Sequence, residues 1–408
     1  MNRVCMYVPS ANGGHARYAR ELMTALAQAG QRGYAFELVS SEDLEQQFRD
    51  VPYDTHPILP KLRARSEFSS GACWAFNRVT HYARREWRLL QWLKSRPDIT
   101  AVHFQEWTPW LAAPLFRRIR AMGKKVFYTV HNVVPHRYPA RVPKRLMHRW
   151  IRQACRLTDG LFVHTDVLAG ELKRFLGPDK LPPINVVPHG VWTVPDAQNL
   201  PPIQQRLNDK KLLFFGTIRR NKGLDLLLRA AEKLPGYSIT VAGYPLERAY
   251  YHNEILPLVD KARAAGVKVE LTGEFLPDEK VGPLFRSHSA IVMPYTQGFA
   301  AQSGVVFMAL AYELPVIASE VGGLRDLFSE FKIGTTFAQY TPDALATAVQ
   351  ALHAGASASE LLKHMRAAKG RFSWDVAAVA TIAGYEAATA NAKTTQAHDC
   401  RVATTFAC

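Results

Sequence analysis

The chain has 408 residues, 48% of them hydrophobic and 21% charged, with a formal net charge of +16. That length exceeds what one core fills and predicts two domains, while the composition excludes a disordered chain and a membrane bundle. No apolar run approaches the ~18–20 residues of a membrane span, and five scattered cysteines without paired ligand spacing fit reduced thiols rather than disulfides or zinc.

In chain order, short apolar runs alternate with longer amphipathic stretches, the pattern of α/β units around a parallel sheet. The opening MNRVCMYVPSANGG reaches glycine too early for the apolar part of a secretory leader. It reads as a first strand and its loop, and a cytoplasmic protein is expected. The predicted strands of the first half are RVCMYVPS, AFELVS, AVHFQ, KVFYTVHN, GLFVHT and INVVPHG. Those of the second half are KLLFFGT, SITVAG, KVELTG, AIVMPY and LPVIASE. Between the two series TVPDAQNLPPIQQRLNDKK, rich in Pro, Asn and Gln, reads as a linker. The expected division is 1–195, a linker 196–208, 209–372, a closing Ala-rich helix 373–392 with Ser373 as its N-cap, and a frayed tail 393–408. Both halves share one architecture, two Rossmann-like doubly wound domains facing a central cleft, and in such sheets ligands bind outside the carboxyl ends of the strands.

The charge is uneven, since residues 51–150 hold 19 Lys or Arg against 5 Asp or Glu. RREWRLLQWLKSR and RVPKRLMHRWIRQACR mix bases with Trp and Leu. Either this is a solvated basic face, or residues 60–156 meet an anionic membrane surface. No recognised nucleic-acid module accompanies the charge, and nucleic acid is not expected as a partner.

Several strand-end loops can carry chemistry. Gly13 and Gly14, between the first strand and first helix, either make a tight turn or let backbone approach an anion. In FFGTIRRNKG, Gly216 closes a strand, and Arg219 and Lys222 precede a helix, making a clamp for a diphosphate or an exposed basic loop. It is not a P-loop, whose spacing is absent. Histidines 103, 131, 136, 164 and 189 sit at strand ends, where a lone His is usually a structural hydrogen-bonder. His131 stands out, because the irregular NVVPH follows it. No His or Cys pair has helical zinc spacing, and no Asp-any-Asp pair follows a strand, so no bound metal is expected. The Gly-any-Ser-any-Gly elbow of Ser hydrolases and the Gly-any-Gly-any-any-Gly dinucleotide fingerprint are also absent.

Taken in order, NGG, FGTIRRNKG, VELTGEFLPDEKVGPLFRSHSAIVMPY and ALAYELPVIASEVGGLRDL resemble the GT-B retaining glycosyltransferases of family four, the glycosyl transferase group-one superfamily. The resemblance runs over residues 3–390. It implies an acceptor-side first domain, a nucleotide-sugar-binding second domain and a closing helix that returns to the first. It implies transfer of a sugar from a nucleotide diphosphate sugar, GDP- or UDP-linked, to a glycolipid or glycan acceptor in cell-surface polysaccharide synthesis. The anomeric configuration is retained, without metal or other cofactor.

By the same resemblance Gly14 lies near the donor diphosphate, Arg219 and Lys222 neutralise it, His131 stands near the donor sugar, and Glu274 and Phe275 lie beside the base. Catalysis of this kind is mostly electrostatic; the acceptor proton can pass to the leaving phosphate, so no protein base is obligatory. One departure is the family's Glu, seven residues, Glu. Here its positions hold Ala300 and Met308 in one register, Gln297 and Val305 in the other. The expected substitute is the segment Gln302, Ser303, Gly304 and Val305, with Ser303 as N-cap and the N–H groups of Gly304, Val305 and Val306 offered to the diphosphate. The missing acids also allow a non-catalytic nucleotide-sugar or glycan-binding subunit. A GT-B epimerase or phosphorylase fits less specifically.

Overall fold

The computed structural model describes all residues except 1, 11–12, 30–32, 45–47, 49, 64, 135–141, 196–198, 298–302, 356 and 406–408; of 65 and 391–405 only the backbone is described. It divides into two compact units, Met1–Pro188 with Trp374–Cys408, and His189–Ser373.

The first unit is built on seven strands: β1 (Asn2–Val8), β2 (Tyr34–Ser41), β3 (Asp54–Leu59), β4 (Ile99–Phe104), β5 (Lys125–Thr129), β6 (Gly160–Val163) and β7 (Ile184–Val186). All pair in parallel in the order β3-β2-β1-β4-β5-β6-β7. Val4 to Val8 of β1 and all of β6 are buried, as in strands covered on both faces by helices. The closing helix Trp374–Thr405 packs on the first helix, Gly14–Gln28, and on β6 and β7. Tyr385 meets His103 Nδ1 at 2.5 Å, and Lys125 Nζ donates to the Ala388 carbonyl at 2.9 Å.

The second unit holds β8 (Lys211–Phe215), β9 (Ser238–Ala242), β10 (Lys268–Thr272), β11 (Ala290–Met293), β12 (Val316–Ser319) and β13 (Gly334–Phe337), parallel in the order β10-β9-β8-β11-β12-β13. Its strand order reverses at β8, which lies between β9 and β11. In the first unit the reversal is at β1, between β2 and β4. Each unit is therefore a doubly wound Rossmann-like domain.

Several details differ from the sequence reading. β3 and β13 were not among the predicted strands, and both are edge strands. β3 (DTHPIL) carries a proline and is mostly half-exposed, and β13 (GTTF) has one fully buried residue, so neither shows the apolar run of a central strand. Residues 189–195, assigned by sequence to the first domain, go with the second unit, because His189 stacks on Phe307 at 4.6 Å and Trp192 donates to the Gly304 carbonyl at 2.7 Å. The stretch read as linker contains a helix, Ile203–Asn208. The last helix runs on to Thr405 rather than stopping near 392, since Ala, Thr and Lys there include no Pro or Gly to end it.

Candidate functional site

In the second unit the reversal point is crowded with backbone. Gly216 follows β8 with φ of 112°, and Arg219 leads into the single turn Arg220–Lys222. Gly223, which ends that turn, has φ of 65°, and a Cβ there would lie 1.8 Å from the Pro294 carbonyl oxygen and 2.4 Å from the Tyr340 hydroxyl. Only glycine permits both the left-handed backbone and this approach. The Thr296 N–H donates to the Asn221 carbonyl at 3.2 Å, tying the loop after β8 to the loop after β11.

Lys222 is buried, with its Nζ 3.7 Å from the centre of the Tyr295 ring. Burial, and then the charge of Arg219, push its amine well below the ordinary lysine range. Arg219 is half-buried, while Arg220 is exposed and turned to structure: it pairs with both oxygens of Glu254 and lies over Tyr250. Of the three cations in this loop, 219 and 222 are thus the pair set apart from that ion pair.

Ser303 stands at the N-cap position of the helix Gly304–Ala311, but its side chain does not cap it. The hydroxyl meets the Tyr295 hydroxyl at 2.9 Å instead, and Tyr295 in turn lies over Lys222. The Val306 N–H donates to the Ser303 carbonyl at 3.1 Å, so it is already used and not offered to an anion as expected. Val305 packs on Gly216, its Cγ2 lying 3.7 Å from where a Cβ there would be. Gly304 carries Trp192 on its carbonyl. Gln302 and His136 lie outside the described residues. Glu274 and Phe275 are exposed on the loop after β10, the edge strand, with β9 between it and β8. The structure therefore brings Gly216, Arg219, Lys222 and Ser303–Val305 together and leaves Glu274 and Phe275 at the sheet's edge.

The first unit places a different chemistry at its reversal point. Gly13 is the N-cap residue of the first helix with φ of 90°, Gly14 begins that helix, and among the described residues no atom lies within 4 Å of a Cβ at either. His131 follows β5 and enters a chain of rings. Its Nδ1 is 3.0 Å from His164 Nε2, and its Nε2 is 3.1 Å from Gln105 Oε1. His164 Nδ1 donates to the Val187 carbonyl at 3.1 Å. Burial lowers His164 to about 4, so it is neutral near pH 7 and its Nε2 accepts the Nδ1–H of His131. The face of His131 is covered by His15, stacked at 4.2 Å.

Two residues here escaped the sequence reading. His15 Nδ1 is 2.6 Å from Glu106 Oε1, and Ser10 donates to Glu106 Oε2 at 2.8 Å. Burial raises the Glu106 carboxyl, but hydrogen bonds from His15 and Ser10 and the charges of His15 and Arg85 outweigh it and hold it below its ordinary value. Both residues were findable: His15 directly follows the glycine pair, and Glu106 is the first acid after β4. Tyr295 and Trp192, which organise the loop before Gly304, gave no motif. Among the described residues no group of three or more His, Cys, Asp or Glu is arranged to hold a metal ion.

Two family models match this chain. One, described as Glycosyltransferase Family 4, covers residues 12–193, and the other, Glycosyl transferases group 1, covers residues 209–354. Among curated relatives, a D-inositol 3-phosphate glycosyltransferase of Mycobacterium avium is 33% identical over 45% of this chain and 43% of its own length; the match thus spans under half of that relative. A glycogen synthase of Mycobacterium tuberculosis is 24% identical over 94% of this chain and 93% of its own. Among solved structures, sucrose-phosphate synthase from Thermosynechococcus elongatus superposes with a TM-score of 0.68 at 19% identity, covering 96% of this chain and 100% of that one. The Anabaena protein HepE, solved in complex with UDP, gives 0.66 at 14% identity, covering 95% and 100%. With both family models matched in order on two doubly wound units, the chain belongs to the GT-B glycosyltransferases of family 4 and group 1.

Proposed function

We propose that this protein is a retaining, metal-independent hexosyltransferase that moves a sugar from a GDP- or UDP-linked donor to a glycolipid or polysaccharide acceptor in cell-surface glycan synthesis. The observation that carries this reading is the pair Arg219 and Lys222 at the reversal point of the second sheet. Burial and its neighbour both disfavour the charge of Lys222, and an arriving diphosphate reverses that balance, because an anion close by favours the protonated amine. The same groups then stabilise charge growing on the leaving diphosphate. Gly216 and the start of the helix Gly304–Ala311 supply backbone beside them. The relatives lend support: HepE has been solved with UDP and with UDP-glucose. The parts of Gly13, Gly14 and His131 at the donor, and of Glu274 and Phe275 at its base, rest on the family resemblance alone.

The test is thermal unfolding with GDP, UDP and their glucose and mannose conjugates, followed by turnover. A ligand at 100 times its Kd stabilises by ~2.7 kcal/mol, which a melting curve resolves. The double variant Arg219→Ala, Lys222→Ala is expected to lose both the shift and the transfer. A wild type shifted by none of these nucleotides, or undiminished turnover by the double variant, overturns the reading. Met308 in one register or Val305 in the other, where the family resemblance implies an acid, favours one other reading, a binding subunit without catalysis. Release of free sugar or transferred product by the wild type decides against it.

We also propose that the first unit works in the cytoplasm against an anionic membrane surface. On the helix Gly71–Ser95, Phe76, Val79 and Trp87 are 73%, 56% and 59% exposed, and Arg84 and Arg88 of the same helix are exposed as well. An apolar stripe edged with cations suits a headgroup boundary. No helix among the described residues is long and apolar enough to cross a membrane, so the contact would be peripheral. Flotation with vesicles containing phosphatidylglycerol should be salt-sensitive and weakened by Phe76→Ser with Trp87→Ser; equal flotation with neutral vesicles sinks the proposal.

A further inference from the structure

We propose that Glu106 and His15 form a sugar-binding subsite in the first unit, one that takes a neutral, hydroxyl-bearing sugar and turns phosphorylated sugars away. That the sugar bound there is the acceptor rests on the transferase reading above; the subsite itself is built from residues of the first unit alone.

The carboxylate is fixed and still has capacity. Ser10 donates to Glu106 Oε2 at 2.8 Å, and His15 Nδ1 lies 2.6 Å from Oε1. An ionised carboxylate offers about four lone-pair sites, so about two remain for a ligand. Burial alone would raise the Glu106 carboxyl, but its hydrogen bonds and the charges of His15 and Arg85 hold it below its ordinary range, so it is ionised near pH 7. Both side chains reach solvent, Glu106 being 28% and His15 40% exposed. With Nδ1 on the carboxylate, His15 presents its Nε2 edge, and among the described residues none is hydrogen-bonded to that nitrogen. A hydroxyl both donates and accepts, so it pairs with Nε2 in either protonation state of the ring. Two hydroxyls on adjacent carbons match the two oxygens of one carboxylate.

The sheet explains why these groups meet although 91 positions separate His15 from Glu106. Ser10 and His15 follow β1, Glu106 follows β4, and β1 and β4 are hydrogen-bonded neighbours, with the Gln105 N–H donating to the Tyr7 carbonyl at 3.1 Å. The His15 ring is held further by His131, stacked on it at 4.2 Å with an interplanar angle of 15°. Beside the carboxylate stands an aromatic wall. Trp107 is half-buried and stacks on Tyr128 at 3.9 Å. Burial, and then the charges of Cys155 and Glu106, raise the Tyr128 hydroxyl, which puts the stack within reach of the carboxylate's field. Apolar ring surface next to a few fixed polar groups is the make-up of a small-ligand site.

Charge supplies the selectivity. Residues 51–150 hold 19 Lys or Arg against 5 Asp or Glu, yet the loop after β4 presents a carboxylate. The cation Arg85, whose charge acts on Glu106, is buried and committed elsewhere, donating to Glu86 at 2.8 Å and to the Thr108 hydroxyl at 2.7 Å. A phosphate arriving at Glu106 therefore meets a like charge and finds acceptors where it needs donors, whereas a hydroxyl finds acceptors it can use. Glu106 and His15 are the binding residues; Ser10 is a positioning residue.

The experiment is saturation-transfer NMR on the full chain without nucleotide, in an Arg219→Ala, Lys222→Ala background so that those cations of the second unit hold no phosphate. The probes are the methyl glycosides of glucose, galactose and mannose, and the 6-phosphates of the same three sugars. At least one glycoside is expected to bind, and its 6-phosphate to bind ~100-fold more weakly, as a like-charge contact dictates. Glu106→Ala should abolish glycoside binding. Glu106→Gln should keep it and bring the phosphate within about tenfold, and Glu106→Lys should reverse the preference. If Glu106→Lys melts early, Glu106→Gln decides together with His15→Ala, which should weaken the glycoside several-fold. Equal binding of glycosides and phosphates, binding of no glycoside, or undiminished binding by Glu106→Ala overturns the subsite. Nucleotide shifts and turnover by the wild type judge the transferase reading separately: a chain that binds glycosides through Glu106 but turns over no nucleotide sugar keeps the subsite and loses its assignment to an acceptor.

Discussion

The two units share a topology and differ in what stands at the point where their strand order reverses. In the first, the loops after β1, β4, β5 and β6 contribute Ser10, His15, Gln105, Glu106, His131 and His164, a set that can give, take and relay protons. In the second, the loops after β8 and β11 contribute two cations, a tyrosine and closely packed backbone. A diphosphate needs fixed positive charge and N–H groups, whereas a neutral sugar needs acceptors for its hydroxyls. One fold with different strand-end residues thus presents two different chemistries.

This contrast can be broken most sharply with two glycine substitutions. Gly223→Ala forces a side chain into left-handed backbone and within 1.8 Å of the Pro294 oxygen. The Pro294 backbone leaves no room to relax on one side and the Tyr340 hydroxyl crowds the other, so a loss above ~4 kcal/mol is expected, in the range reserved for broken core geometry. Gly14→Ala in the first unit meets no atom of the described residues within 4 Å and lies within a helix, so its effect should stay within about 0.5 kcal/mol. Calorimetry of the full chain reads both. A Gly223→Ala transition close to wild type would mean that the loop after β8 is not pressed against Pro294, and the account of the second site would fall.

The same contrast explains what could be read from sequence. Alternating apolar and amphipathic segments revealed every central strand, because a strand covered on both faces is mostly apolar. They missed β3 and β13, where one side of the strand has no neighbour and polar residues or proline are tolerated. Arg219 and Lys222 were legible because they are three residues apart on one loop. The pair His15 and Glu106 was not, since only the adjacency of β1 and β4 joins them. Ser303 shows the opposite failure: its local pattern is that of a helix cap, yet a tertiary partner, Tyr295, holds the hydroxyl. The boundary was placed too late because proline and asparagine mark the irregular chain, while the contacts of His189 and Trp192 decide which unit owns it.

A smaller effect should separate the units by pH. Burial lowers His164 to about 4 and His103 to about 3, against ~6.5 in an unfolded chain. Near pH 7.5 neither state binds the proton and these residues do not change stability. As pH falls below ~6.5 the unfolded chain takes up protons that the folded unit refuses, so stability declines until pH reaches the folded value. For His164 alone the loss is on the order of 3 kcal/mol between those limits. Protonating its Nε2 also removes the acceptor for His131 Nδ1–H, and the Glu106 carboxyl adds a further loss in the same direction at lower pH. In the second unit His288 and His353 are lowered as well, chiefly by burial, though contacts to the Leu284 and Val349 carbonyls oppose it; its decline should be shallower. Calorimetric scans between pH 7.5 and 4.5 should therefore show the first unit's transition falling faster, and His164→Asn should remove much of that difference. Transitions that fall together in both wild type and His164→Asn would mean that the buried histidine chain does not distinguish the first unit from the second.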